Sequence, residues 1–317
     1  MGGNTKGALH ALTAFAIFSA HDTVVKFLGG TYSPFQIIFF TALFSFPIIT
    51  MMLMGSTTKG NLLPVHPWWT AARTCATVVT GISAFYAFST LPLTQVYAII
   101  FAAPLLITVL AIPILGETVR LRRWIAVLVG LTGVVIVLRP GTAELSLGHL
   151  AALAAACGSA FASIIVRKIG SDERSVVLLL YPLAANCILM AFALPFVYRP
   201  MPLTDMAGAA GIALLGLLAA SFVISAYRNG EAAIVAPMQY SQIIWATLFG
   251  ALLFDEFPDG PTILGAAIVI ASGVYIVLRE SRSGQSANTP VLRTRTRFGV
   301  TTTPRLNTIF DRRTPND

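Results

Sequence analysis

Three ionisable residues, His21, Asp22 and Lys26, stand close together inside an apolar stretch near the start of this chain. Asp22 and Lys26 are four apart, which on a helix sets one above the other on a single face. Two chemistries follow. The pair can neutralise itself near one end of the helix, or the cluster can bind a charged group or a coupling proton. His21, with an unperturbed pKa near 6.5, is the one of the three suited to titrate near neutral pH. An ionisable group within a membrane span costs at least about 2.5–3.5 kcal/mol on insertion scales, so its presence there invites a functional reading.

A second constellation is aromatic and amide. Tyr86 and Tyr97 flank a turn between two apolar segments, Asn186 lies mid-segment, and Gln239, Tyr240, Gln242 and Trp245 follow one another later in the chain. Gln242 and Trp245 share a helical face at i, i+3. Such side chains suit a pocket for a flat or amphipathic solute; they serve equally as polar glue between helices or as interfacial anchors. Pro104 and Pro237 each remove a backbone donor inside an apolar segment, which predicts a kink or local unwinding and makes them hinge candidates. They do not occupy equivalent positions in the two halves, so the predicted hinges are asymmetric. Glu117 and Glu256 read as acidic caps on the start of the next helix, with gating as the second reading.

The elements that must position these residues follow from composition. The 317 residues are 56% hydrophobic and 11% charged, with a mean hydropathy of +0.78. A soluble domain carries about 25% charged residues, so this is an all-α integral membrane protein. A spanning helix needs about 20 mostly apolar residues. Ten such stretches are predicted, at 7–28, 34–54, 68–89, 95–115, 122–138, 146–166, 175–197, 205–226, 232–254 and 261–278. The first reads as a span and not as a cleaved signal peptide. Cys75, Cys157 and Cys187 have no metal or redox spacing and read as small packing residues. Basic residues gather on one side when both termini are cytoplasmic, as the positive-inside rule requires; Arg73, a few residues into the third span, is expected to snorkel to that side. Residues 281–317 carry seven arginines among Ser, Thr, Pro and Asn. They read as a disordered basic cytoplasmic tail, able to meet anionic lipid headgroups.

One phrase occurs twice: GVVIVLR from Gly133 and GVYIVLR from Gly273. It belongs to a longer overlay in which Tyr97 falls on Ala236 and Glu117 on Glu256, while Gly7 falls on Gly148 and Lys26 on Arg167. Each half, 1–140 and 141–280, therefore reads as five helices. Five is odd, so the halves enter the membrane from opposite sides, as inverted repeats of secondary transporters do.

The runs FYAFSTLPLTQVYAIIFAAPLLITVLAIPILGE, WIAVLVGLTGVVIVLRPG and QYSQIIWATLFGALLFDEFPDGPTILGAAIVIASGVYIVLRE resemble the EamA-type branch of the drug/metabolite transporter superfamily. The resemblance covers 1–280. It implies a 5+5 bundle in a bacterial-type inner membrane, with a cavity lined mainly by helices 1–4 and 6–9 and helices 5 and 10 more peripheral. It also implies alternating access without ATP, by a monomer or homodimer that needs no cofactor and no metal. The implied activity is export of an amino acid or related amphipathic solute, with import or exchange of a vitamin or nucleotide-like cofactor (riboflavin or S-adenosylmethionine type) as the alternative. Proton coupling is compatible with Asp22. Competing classes find little support. DEFPD at 255–259 lacks a second acidic cluster for magnesium chemistry, and no HExxH motif, no convincing Ser–His or Cys–His pair and no ring of like charges for a channel is present. Nucleic-acid binding is excluded by the absence of aromatics interleaved with the basic charge.

Overall fold

The computed structural model describes residues 3–54, 62–116, 119, 121–140, 145–170, 172–229 and 232–281. Glu117 and residues 282–317 of the basic tail lie outside the described residues. The regular elements among the described residues are all helices, with no strand. The helices are α1 (Gly3–Gly29), α2 (Pro34–Met54), α3 (Pro67–Thr90), α4 (Leu93–Ile100), α5 (Ala103–Leu115), α6 (Leu121–Leu138), α7 (Leu147–Ile169), α8 (Ser175–Val197), α9 (Leu203–Asn229), α10 (Ala232–Val235), a 3₁₀ turn (Ala236–Ser241), α11 (Gln242–Phe254) and α12 (Gly260–Ser281).

Seven helical stretches among the described residues are long and apolar enough to cross a membrane, Leu93–Leu115 being counted as one. Two of the other three expected spans miss that measure for physical reasons: α3 carries Arg73 among threonines 70, 74, 77 and 80, and the 3₁₀ turn interrupts the ninth. In α2 the side chains are described over Pro34–Pro47, and that stretch is apolar. Large apolar side chains such as Phe192, Phe196, Leu203 and Ile244 stand exposed on the outside. That is the surface of a protein solvated by lipid.

The helices pair across the two halves: α1 lies along α9, α3 along α7, α2 along α8 and α6 along α12. Close approach of α6 and α12 depends on missing side chains. A Cβ on Gly133 would stand 2.8 Å from the Gly265 carbonyl oxygen, and one on Gly265 would stand 2.6 Å from Val137 Cγ2. The other copy of the repeated glycine serves differently, since Gly273 makes room for the Tyr240 hydroxyl.

The predicted unwinding occurs at both prolines, but its asymmetry does not. Pro104 cannot donate to the Ile100 carbonyl and its ring crowds that turn, so the chain breaks at Phe101 and Ala102 between α4 and α5. Pro237 sits in the first turn of the 3₁₀ segment that separates α10 from α11. In the overlay of Tyr97 on Ala236, the first residue of α5, Ala103, falls on the first residue of α11, Gln242. Both helices are 13 residues long, and both end on a left-handed residue, Gly116 (φ 69°) and Asp255 (φ 54°). Prolines at unmatched positions thus produce breaks at matched ones.

Two further expectations are corrected. Arg73 does not snorkel: it is 3% exposed, and its guanidinium donates to the Leu178 carbonyl of α8. Pro182, four residues on, has no N–H for that carbonyl, so Arg73 fills the vacancy a proline left. The cysteines do not pack the core. Cys75 and Cys157 are exposed on helix faces and Cys187 is half-buried.

The glycine contact yields a test. Gly265→Val overfills the α6–α12 seam and lowers stability by about 1–3 kcal/mol, read as a drop in the thermal midpoint of detergent-solubilised protein. Gly211→Ala, where an added Cβ meets nothing within 4 Å, stabilises its helix by roughly 0.5–1 kcal/mol.

Candidate functional site

Asp22 and Lys26 share a face of α1, as their spacing requires, but each finds partners on other helices. The Asp22 carboxylate takes His21 Nδ1 at 2.7 Å on one oxygen and the Tyr97 hydroxyl of α4 on the other. Gln242, the first residue of α11, donates its side-chain N–H to Tyr97 Oη at 3.3 Å. Asp22, Tyr97 and Gln242 form one rung tying α1, α4 and α11, and all three are buried.

A second rung ties the same three elements nearer the bundle end. Lys26 Nζ lies 2.7 Å from Glu256 Oε1, donates to the Leu91 carbonyl at 2.6 Å and sits 5.2 Å from the centre of the Phe254 ring. Glu256 Oε2 accepts the Leu93 backbone N–H at 3.3 Å, one of the orphan donors at the start of α4. The expectation that Glu256 caps the next helix is therefore corrected. It caps α4, because left-handed Asp255 turns the chain back and Glu256 N–H donates to the Gly250 carbonyl. Asp259 caps α12 instead, accepting the Thr262 N–H at 3.1 Å and pairing with Arg139. The acids of DEFPD are spent on three separate structural tasks and face no common metal.

The rungs stand against aromatic rings. His21 lies edge-on to Phe18 and Phe85, and a ladder runs from Phe88 to Tyr97 to Phe101 to Tyr240 with centroid separations of 5.5, 5.7 and 5.0 Å. Phe101 and Tyr240 are overlay equivalents, and they touch. Buried polar atoms are normally partnered, yet Ser19 Oγ, His21 Nε2, Thr41 Oγ1, Asn186 Oδ1, Tyr240 Oη and Ser241 Oγ meet no hydrogen-bond partner among the described residues. Gln239 lies beside the Tyr240 hydroxyl without completing a hydrogen bond of good geometry. These atoms sit on middle turns. At 1.5 Å per residue, Thr41 is about 10 Å along α2 from Pro34 and Asn186 about 16 Å along α8 from Ser175. Waters or a ligand would satisfy them.

Of the sequence candidates, His21, Asp22, Lys26, Tyr97, Gln242 and Glu256 are brought together at the two rungs, and Tyr240 joins through Phe101. Tyr97 is buried in the interior and is no part of an outer aromatic belt. Tyr86 is half-buried on α3 outside the rungs. Trp245 stacks on Phe249 at 6.2 Å. Pro104 and Pro237 lie at the helix breaks. The sequence reading missed Phe85, Phe88 and Phe101, and the Thr94–Thr247 hydroxyl contact at 3.3 Å that also joins α4 to α11. The overlay of Phe101 on Tyr240, two aromatics at one repeat position, was the available signal.

Both ends are tied. Beside Lys26 and Glu256, Tyr32 donates to Asp205 at 2.6 Å and Gln36 exchanges two hydrogen bonds with the Arg199 backbone. At the far end of α3, Glu173 accepts the His66 N–H and the Thr70 hydroxyl.

Two outcomes are expected. Lys26→Met and Glu256→Gln each lower the thermal midpoint, while the double variant recovers part of the loss. Their coupling is about 1–3 kcal/mol in a double-mutant cycle. At Asp259 the nearby Thr262 hydroxyl (though not in hydrogen-bond geometry), the Thr262 N–H and the Arg139 guanidinium hold the carboxyl below its usual range, against an opposing desolvation. A depressed folded pKa gives stability above the ordinary value, near about 3.9, and loses it as pH falls through the folded value. The midpoint gap between wild type and Asp259→Asn is therefore present at neutral pH and closes in acid. It is worth less than about 1 kcal/mol because the pair is partly exposed, and Asp259→Ala costs about 1 kcal/mol by removing the cap.

The EamA-like transporter family matches the chain twice, over residues 5–139 and 146–279. The S-adenosylmethionine uptake transporter of Rickettsia prowazekii is 26% identical over 280 residues, covering 87% of this chain and 93% of the relative. The riboflavin transporter of Rhizobium johnstonii is 27% identical over 290 residues, covering 87% and 92%. That of Vibrio cholerae is 29% identical over 195 residues, covering 61% and 65%. A protein of known crystal structure has the same fold, with a TM-score of 0.59 at 20% identity over 87% of this chain and 97% of the other. With the family matched along both halves of a bundle of apolar helices, this chain is a multi-pass membrane transporter that belongs to the EamA-like transporter family.

Proposed function

We propose that the chain is a secondary carrier that takes up a small organic solute of the vitamin or nucleotide-like cofactor class by alternating access. The observation that carries this reading is a polar centre, with hydrogen-bonding atoms to spare, tied shut at both ends of the bundle. A carrier needs a site reachable from one side at a time, whereas a channel needs a continuous path. Relatives named for uptake of S-adenosylmethionine and for riboflavin transport support import over export of amino acids. Gradients set direction in a reversible cycle, so export remains the second reading on the resemblance alone.

Ten traversals as two inverted five-helix units give the cycle its symmetry. The matched ends of α5 and α11 support this, as does the contact of Phe101 with its overlay equivalent Tyr240, which a twofold axis between the units would produce. The cross-half pairs support it too: exchanging the units maps α1–α9 onto α7–α3 and leaves α2–α8 and α6–α12 in place. With the termini cytoplasmic in a bacterial inner membrane, the Lys26–Glu256 rung closes the outer end. The breaks before α5 and α11 are the hinges about which half-helices tilt.

Counterflow in proteoliposomes tests the carrier. Unlabelled riboflavin or S-adenosylmethionine trapped inside should accelerate entry of the same labelled solute several-fold, with the label recovered chemically unchanged. Conversion of the label without net movement, or flux that never saturates and ignores the trapped solute, would overturn the reading.

A further inference from the structure

We propose that the Asp22 corner selects a solute bearing a positive charge, seated against the Asp22 carboxylate where the Tyr97 hydroxyl now lies. This rests on the carrier reading and names the charge of its cargo.

The charges at the corner support it. Two carboxylates, Asp22 and Glu256, face one lysine, and Lys26 is committed to Glu256, the Leu91 carbonyl and the Phe254 ring. The fourth ionisable group, His21, is the hydrogen-bond partner of Asp22 through its Nδ1. The described elements packed on the corner add rings, a carbonyl and a further acid. From α4 comes Tyr97, from the 3₁₀ turn Tyr240, and from the end of α3 the rings Phe85 and Phe88 with the Leu91 carbonyl. At the start of α9, which packs along α1, stands another acid, Asp205, bound by Tyr32. Arg199 is held on the Thr31 carbonyl. Arg73 is bound to Leu178 about 18 Å down α3 from Phe85.

The surrounding groups suit a cation that carries a hydrogen-bonding body. Aromatic faces attract positive charge, and Phe85, Phe88 and Phe101 surround the rung. The unpartnered atoms of Ser19, one turn before Asp22 on α1, and of Tyr240 and Ser241, next to Gln242 in the chain, are uncharged donors and acceptors. An anionic solute would meet like charge in a low-dielectric site, a repulsion worth several kcal/mol in general. A neutral solute would gain nothing from Asp22 that Tyr97 does not already supply. The seat also reports to the closure, because Tyr97 and Leu93 are one turn apart on α4. Displacing Tyr97 from Asp22 loosens the helix whose first N–H is held by Glu256.

The test uses full-length protein in proteoliposomes and solutes differing in charge. S-adenosylmethionine carries a sulfonium cation that S-adenosylhomocysteine lacks, riboflavin is neutral, and arginine, phenylalanine and glutamate extend the series. The expected result is that wild type exchanges S-adenosylmethionine about tenfold or more faster than S-adenosylhomocysteine, the factor that 1.4 kcal/mol of differential binding gives. Asp22→Asn, checked for folding by its gel-filtration profile and melting curve, should bring the pair to within about threefold, and Asp22→Glu should keep the preference. Should Asp22→Asn not fold, the charge series on wild type decides alone. Exchange restricted to neutral or anionic solutes would overturn the inference and leave the carrier intact. So would a charge preference that survives in Asp22→Asn, or equal loss of riboflavin and S-adenosylmethionine flux together with loss of response to an imposed pH gradient, which would mark Asp22 as a proton site. Exchange of no solute at all would overturn the carrier reading itself.

Discussion

A carboxylate withdrawn from water into a bundle of apolar helices must be answered by groups the protein supplies, and the arrangement of this transporter turns on how Asp22 is answered. Desolvation costs several kcal/mol per ion, so the answering groups must hold good geometry. They come from α4, which ends at a break in its span, and from α11, which begins at one. The break leaves α4 as a short piece of eight residues, with Tyr97 bonded to Asp22 from its middle and the Leu93 N–H at its start held by Glu256. Local helix disruption and buried charge thus meet in one place.

This makes the corner both the most polar and the most mechanically consequential place in the bundle. The three elements meeting there belong to different parts of the chain, with 75 residues between Asp22 and Tyr97 and 145 between Tyr97 and Gln242. A change in any one of the three elements is felt by the other two, because the Asp22–Tyr97 and Tyr97–Gln242 hydrogen bonds each cross from one helix to another. The aromatic ladder beside them adds area and excludes water, which strengthens the polar contacts it borders.

Much of this was legible in the chain itself. The apolar stretches gave the helices, and the rarity of ionisable groups in the spans picked out His21, Asp22 and Lys26. What stayed hidden were partners distant in sequence. Spacing within one helix pairs Lys26 with Asp22, because i, i+4 neighbours are all that a single helix reveals; the partner in space, Glu256, arrives through a reversed turn at a left-handed Asp255. The same limit explains Arg73, whose distance from the helix end suggests snorkelling while its acceptor is a carbonyl in α8. Matching of the two helix breaks escaped because the prolines are out of register, although the helices that follow the breaks are not.

Arg73 carries one more consequence, for the order in which the protein can be assembled. Its acceptor, the carbonyl of Leu178, lies 105 residues later in the chain. When α3 first leaves the ribosome it holds a charged guanidinium with nothing yet made to receive it, on the least apolar of the early segments. Alone among lipid tails it would cost at least about 2.5–3.5 kcal/mol. That cost is answered when a proline in the second half brings it a carbonyl with no helical donor of its own.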